Sequence, residues 1–212
     1  MNTAPWSVRS GTRAAALSDA GAGRLIAIVG PSGAGKDTLI DLLRNHYRDH
    51  PRVGFVRRTI TRPAAAGGED HDPMTMDEFT AAEAAGMFCV TWRANGLAYG
   101  WPEQVRDRIA AGDVMIANGS RQALPAIRAA LPQTLTVAIE VADDVLADRL
   151  RARGRENEAQ IAARLARAAA QRLGPEALAR PDMRAVDNSG DIATAAKALI
   201  AIVEETLDPA TA

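Results

Sequence analysis

The sequence predicts an α/β protein in which helices flank a parallel sheet, and three observations predict it. Short apolar runs alternate with stretches of helical periodicity from Arg24 onward, the order that parallel strands joined by crossover helices require. A glycine-rich turn, "GPSGAGKDT", joins the first apolar run to the first helical stretch. With 212 residues, 47% hydrophobic and 24% charged, the chain can build one substantial core and keep a globular surface.

The elements follow in order. "RLIAIVG" is a short apolar run closed by glycine, the mark of a buried parallel strand. "DTLIDLLRNHY" places Leu39, Leu42 and Leu43 on one helical face. Thr75 and Glu78 have capping-box spacing and open a helix expected to stop near Gly86. "MFCVTW" and "DVMIAN" read as strands, with a helix from Pro102 to Ala111 between them. "ALPAIRAAL" is helical and "TLTVAIEV" is a strand. Helices are expected at 143–153 and 158–172, a short strand at "MRAVDN", and a last helix near 192–206. The domain is therefore expected over 24–207, with residues 1–23 as a flexible extension that lacks the apolar core of a signal peptide.

Bulk properties exclude several classes. A net charge of −1 argues against a nucleic-acid binder, which needs a basic surface. No apolar run reaches the roughly 18 residues of a membrane span. The single cysteine, Cys89, allows no internal disulfide, so a reducing cytoplasm is the expected compartment and core packing its expected role. Lysine occurs only at Lys36 and Lys197, every other basic side chain apart from histidine being arginine.

The turn carries the first chemistry. Gly30, Pro31, Ser32, Gly33, Ala34, Gly35 and Lys36 fit G-x-x-x-x-G-K between a strand and a helix. Glycines let backbone N–H groups approach phosphate oxygens, and the helix that follows presents its positive end to the anion. This predicts an ATP site over Gly30–Thr38, with Lys36 neutralising charge on the transferring phosphate. Asp37 departs from the motif, which ordinarily has Ser or Thr there. A carboxylate is a hard ligand suited to Mg²⁺; alternatively, Asp37 simply favours the helix N-terminus. Thr38 points about 100° away and is a poor substitute.

Arginine marks the second substrate. "RRTITRP" sets Arg57, Arg58 and Arg62 on or beside an extended segment, and a guanidinium fork is the natural partner of a phosphate dianion. Asn118, Ser120 and Arg121 follow a strand, where parallel sheets open their binding crevice. Further on, "DRLRARGRENEAQIAARLARA" gathers Arg149, Arg151, Arg153, Arg155, Arg164 and Arg167 around Gly154. Arg149 and Arg153 are four apart, and Arg164 and Arg167 share a face of the next helix.

In this order, "GPSGAGKD", "ITRP", "GGEDH", "ANGLAYG", "NGSR" and "RARGRENEAQIAARLARAA" resemble the guanylate-kinase-like family of P-loop kinases. Within it they look most like the ribose 1,5-bisphosphate phosphokinases of phosphonate degradation, over roughly 24–206. The resemblance implies a P-loop kinase fold with an acceptor region at about 55–101 and an arginine-rich lid at about 153–165. It implies ATP as phosphoryl donor, Mg²⁺, and a small phosphorylated sugar as acceptor, and it leaves room for a homodimer. The implied product is 5-phosphoribosyl 1-diphosphate. Lys36, Arg149, Arg153 and Arg164 would be catalytic; Arg58, Arg62, Glu69, His71, Tyr99, Asn118, Ser120 and Arg121 would bind the acceptor. "VDNSGD" is similar to the loop that cradles adenine in related kinases.

Guanylate kinase itself is the alternative. Its pattern has a second arginine and a tyrosine in the acceptor loop, where this chain has Ala65 and His71. Its two guanine-reading carboxylates correspond to Thr91 and Asn118. Losing carboxylates that accept from a base edge removes the means of reading guanine while leaving the phosphate machinery. A non-catalytic interaction module is a third reading, and the intact loop, Lys36 and the arginines count against it.

Overall fold

A strand that alternates perfectly between two buried faces sets the architecture. In the computed structural model, which describes residues 23–63, 69–154 and 156–208, β1 (Arg24–Val29) is buried from its second residue to its last. Ile26 and Ile28 pack into one apolar cluster while Leu25 and Ala27 pack into another, so both faces of the sheet are covered. The residues expected to form an extension lie outside the described residues, apart from Gly23.

The main sheet has five parallel strands in the order β2-β7-β1-β8-β9, with β2 at Val53–Phe55, β7 at Val114–Asn118, β8 at Thr134–Glu140 and β9 at Met183–Asp187. Helix α1 (Lys36–His46) and the last helix, Ile192–Leu207, cover one face through Leu39, Leu43, Leu199 and Val203. The other face receives Ile109 of α3 (Gln104–Ala110) and Ile127 of α4 (Leu124–Ala130).

A second sheet, absent from the sequence reading as a sheet, stands beside the first. Its order is β4-β3-β6-β5, from β3 (Thr59–Ile60), β4 (Asp72–Pro73), β5 (Phe88–Ala94) and β6 (Leu97–Pro102). β5 and β6 form a hairpin reversed at Asn95 and Gly96, whose φ values of 51° and 74° suit the two-residue turn that matches strand twist. Trp92 and Trp101 from this hairpin fill the cluster beneath the main sheet. Cys89 is buried there as well, and burial pushes its thiol up to about 11, so it packs rather than reacts.

The expected elements appear with adjusted ends. The capping box of Thr75 and Glu78 opens α2 (Met76–Ala84). The helix expected from Pro102 begins two residues later, because Pro102 still pairs with Phe88 across the hairpin. Leu42 is 38% exposed rather than buried; Leu39, Ile40, Leu43 and Tyr47 make the inner ridge, following i, i+4 spacing. Two further helices, α5 (Asp143–Ala152) and α6 (Glu158–Ala170), are joined through Gly154 at φ 61°. Among the described residues no helix is long and apolar enough to cross a membrane.

Candidate active site

The carboxyl ends of β1 and β7 lie side by side, Ile28 opposite Asn118, and the loop after β1 opens into a cleft of about 670 Å³. The second sheet forms one wall and α6 the other, with Trp92 and Tyr99 on the first and Arg164 and Arg167 on the second. A crevice beyond the strand ends is where parallel sheets bind ligands.

The loop is shaped as its glycines require. Gly33 and Gly35 have φ of 101° and 84°, and a Cβ on Gly35 would lie 2.7 Å from the Asn188 amide nitrogen. Asn188, 1% exposed, fastens the loop by donating from Nδ2 to the Ala34 carbonyl at 2.7 Å. Gly30, Pro31, Ser32, Gly33, Gly35, Lys36, Asp37 and Thr38 line the cleft, whereas Ala34 is wholly buried and serves the loop from behind. Lys36 Nζ arches back to donate to the carbonyls of Gly30 and Pro31 at 2.9 and 3.1 Å. Burial, opposed by the charge of Asp37, lowers its ammonium to about 8. Such a desolvated cation gains most from a phosphate.

The acceptor side is a chain of charge-assisted contacts. Arg58 is forked onto Glu69, with Nε donating to Oε1 at 2.6 Å and a second bond to Oε2. Its guanidinium carbon lies 5.3 Å from the Tyr99 ring centre and 5.9 Å from that of Trp92, and those two rings stack 5.2 Å apart. Asn118 donates to Asp37 and to Glu69. Arg62 also lines the cleft.

His71 is placed differently from the expectation. It does not line the cleft; it is 4% exposed, with Nδ1 facing the Glu69 carbonyl at 2.9 Å and Nε2 facing the Arg62 carbonyl at 3.0 Å. Two carbonyl partners make it a clasp that closes the acceptor segment on itself, a role that needs burial rather than access. Arg57 is likewise occupied on the surface, paired with Asp70 and Asp72. Ala65 and Gly68 lie outside the described residues.

The lid arginines divide. Arg153, Arg164 and Arg167 line the cleft, and Arg164 bonds Ser32 Oγ of the loop at 2.7 Å while pairing with Glu156. Arg149 is not part of the lining; one of its terminal nitrogens is buried without a hydrogen-bond partner among the described residues, and its charge reaches Asp187. Arg151 pairs with Asp148 and Glu158 on the surface, and Arg155 lies outside the described residues. Ser120 and Arg121 line the cleft, but Arg121 is spent on Glu140 at 2.8 Å and on the Gln171 carbonyl at 3.1 Å, tying the end of α6 to the end of β8.

Similarity to known proteins agrees with this geometry. A model of the guanylate kinase family matches residues 22–204. Ribose 1,5-bisphosphate phosphokinase PhnN from Agrobacterium fabrum is 46% identical over 182 residues, 86% of this chain and 97% of that protein. The chain belongs to the ribose 1,5-bisphosphate phosphokinase branch of the guanylate kinase family. A second member of that branch, from Rhizobium etli, is 44% identical over 87% of this chain and 91% of its own length. The solved guanylate kinase of Anaplasma phagocytophilum shares the fold, with a TM-score of 0.63, 18% identity and coverage of 88% and 87% of the two chains.

Thr91 and Asn118, expected to replace guanine-reading carboxylates, both have local partners. Thr91 turns its hydroxyl to Glu83 of α2 and is not part of the cleft lining. Asn118 is in the cleft, but its amide nitrogen is engaged by carboxylates. Trp92, Asn95 and Leu97, which line the acceptor wall, carry no role in the sequence pattern, while Asn188, within "VDNSGD", fastens the glycine loop from behind. The available signal was the Asn95-Gly96 pair between two apolar stretches.

Proposed function

We propose that this protein transfers the γ-phosphoryl group of ATP to ribose 1,5-bisphosphate, giving 5-phospho-α-D-ribose 1-diphosphate and ADP. The observation that carries the reading is one cleft that faces Lys36 and its glycine loop toward Arg58 and Arg62. The names of relatives such as the Agrobacterium enzyme support the acceptor's identity.

The chemistry asks little beyond placement. An oxygen of the acceptor's 1-phosphate attacks the γ-phosphorus, a new P–O–P linkage forms, and the bond to the β-phosphate oxygen breaks with its electrons on ADP. The attacking oxygen is already deprotonated, so no general base is required; alignment and charge neutralisation supply the rate. Backbone N–H groups of Gly33, Gly35 and Lys36 and the Lys36 ammonium hold the donor phosphates. Arg164 and Arg153 approach from α6 and its preceding turn to meet the charge in transfer and to exclude water. Arg58 and Arg62 hold the acceptor phosphates, and Tyr99 and Trp92 give the sugar an apolar floor.

Asp37 fits a magnesium ion. Its carboxylate is exposed at the cleft side of the loop, and no group of three or more metal-ligating side chains occurs among the described residues. One carboxylate with nucleotide phosphates and water is the usual magnesium arrangement. When bound, the ion would neutralise negative charge on the nucleotide phosphates.

The test runs Mg·ATP with ribose 1,5-bisphosphate and, separately, with GMP, following ADP release and identifying the product by ³¹P NMR. Diphosphate resonances with the sugar substrate alone are expected. Turnover of GMP at comparable kcat/KM, or ATP hydrolysis with neither acceptor modified, would refute the assignment.

A further inference from the structure

Asn118 stands where the two halves of the cleft meet. It closes β7 beside Ile28, one residue before β1 gives way to the nucleotide loop. Its Nδ2 donates to Asp37 Oδ1 at 2.7 Å and to Glu69 Oε2 at 2.8 Å. A primary amide has two N–H groups, so one is spent on the nucleotide loop and the other on the acceptor segment. Both partners are carboxylates, which accept and do not donate when ionised, so the nitrogen must face them. Glu69 passes the link to Arg58, and the pair is shielded, with side-chain exposures of 14% and 13%. Charge-assisted bonds are strongest where water is excluded.

We propose that Asn118 is the positioning residue that couples the nucleotide loop to the acceptor segment, and that its amide is what allows an aspartate directly after the loop lysine. This deepens the reaction assigned above and rests on it for the acceptor's identity. Without the amide, Asp37 and Glu69 would confront each other across the space that one nitrogen now occupies. A carboxylate at position 118 would bring a third anion to the same point. Residues 37 and 118 are therefore a matched pair: an aspartate after the lysine demands a donor at 118, and a hydroxyl there releases the demand. The same contact links donor and acceptor binding, since whatever moves Asp37 alters the hold on Glu69 and so on Arg58.

The pair is tested by a cycle of Asp37→Ser, Asn118→Asp and the double variant, read by thermal unfolding of ligand-free protein and by steady-state kinetics. Asn118→Asp alone is expected to lower the melting temperature and raise the acceptor KM about 10- to 100-fold, the range for a lost charge-assisted hydrogen bond. Its kcat should change less. Adding Asp37→Ser takes away one of the three carboxylates and should recover part of the loss in melting temperature, a coupling that a generic packing role for Asn118 would not produce, while the lost bond to Glu69 keeps the acceptor KM raised. If Asn118→Asp does not fold alone, the double variant must fold, and Asn118→Ala must still raise the acceptor KM. Equal losses of melting temperature with and without Asp37→Ser overturn the pairing, as does an acceptor KM unmoved by either Asn118 variant. The unfolding cycle needs no acceptor. A wrong acceptor therefore shows as missing turnover in the parent protein, and a wrong link shows as missing coupling in the cycle.

Discussion

Lys36 carries a consequence at the scale of a single proton. Its ammonium is depressed from 10.5 to about 8, chiefly by burial, the reverse of a lysine that has gained a partner. Between those values the folded protein holds fewer protons than the unfolded chain, so Lys36 makes stability rise with pH across that window. Below about 8 it is charged in the folded protein and the cost of burying it is fully felt. A bound nucleotide's phosphates favour the charged form, so nucleotide binding just above pH 8 should take up a proton. Calorimetry of ADP binding in two buffers of different ionisation enthalpy should reveal that uptake in the parent protein and not in Lys36→Met. Binding heats independent of buffer in both proteins would contradict the assignment. How far such residues were legible varies with what each one does. Lys36 and Asp37 stand inside a local signature and could be read directly. His71 could not, because its role depends on burial and on two carbonyls, neither of which is written in its neighbours. Asn118 was legible as a crevice residue, while its double contact depends on Glu69, forty-nine positions away in the chain.

Among the elements, the hairpin of β5 and β6 decides how the acceptor wall is presented. Trp92 pairs with Tyr99 across it, and the turn at Asn95-Gly96 fixes that register. Gly96→Val puts a β-branched residue at φ 74°, which should cost about 1–2 kcal/mol. The expected reading is a lowered melting temperature with a raised acceptor KM and an ATP KM that holds. A rise in both KM values would mean that the hairpin also supports the nucleotide loop. The main sheet was readable because its apolar runs are long and punctuated by glycine or polar residues. The second sheet was not, because strands such as Thr59–Ile60 and Asp72–Pro73 span two residues each, too short to show a period. Their pairing is set by tertiary contacts, including the clasp made by His71.

Across the whole molecule, a net charge of −1 coexists with a cleft built for polyanions. The reconciliation is local: Arg58 pairs with Glu69, Arg121 with Glu140 and Arg164 with Glu156. Glu69 and Glu140 hold Arg58 and Arg121 in place, whereas a phosphate that meets Arg164 must displace Glu156, so part of the binding energy goes into breaking that pair. Glu156→Gln should therefore tighten ATP binding several-fold, measured by equilibrium titration, because Arg164 is released without losing its contact to Ser32. Weaker binding in that variant would assign Glu156 a direct part in holding the nucleotide. The stacked Trp92 and Tyr99 have one more consequence, and it is optical. An indole held against a phenol, with a guanidinium 5.9 Å from its ring centre, has an emission that depends on where that guanidinium sits. When Arg58 shifts toward an acceptor phosphate, the molecule's own fluorescence becomes a gauge of occupancy, and Trp101, its ring 5.5 Å from that of Trp92, shares in the change.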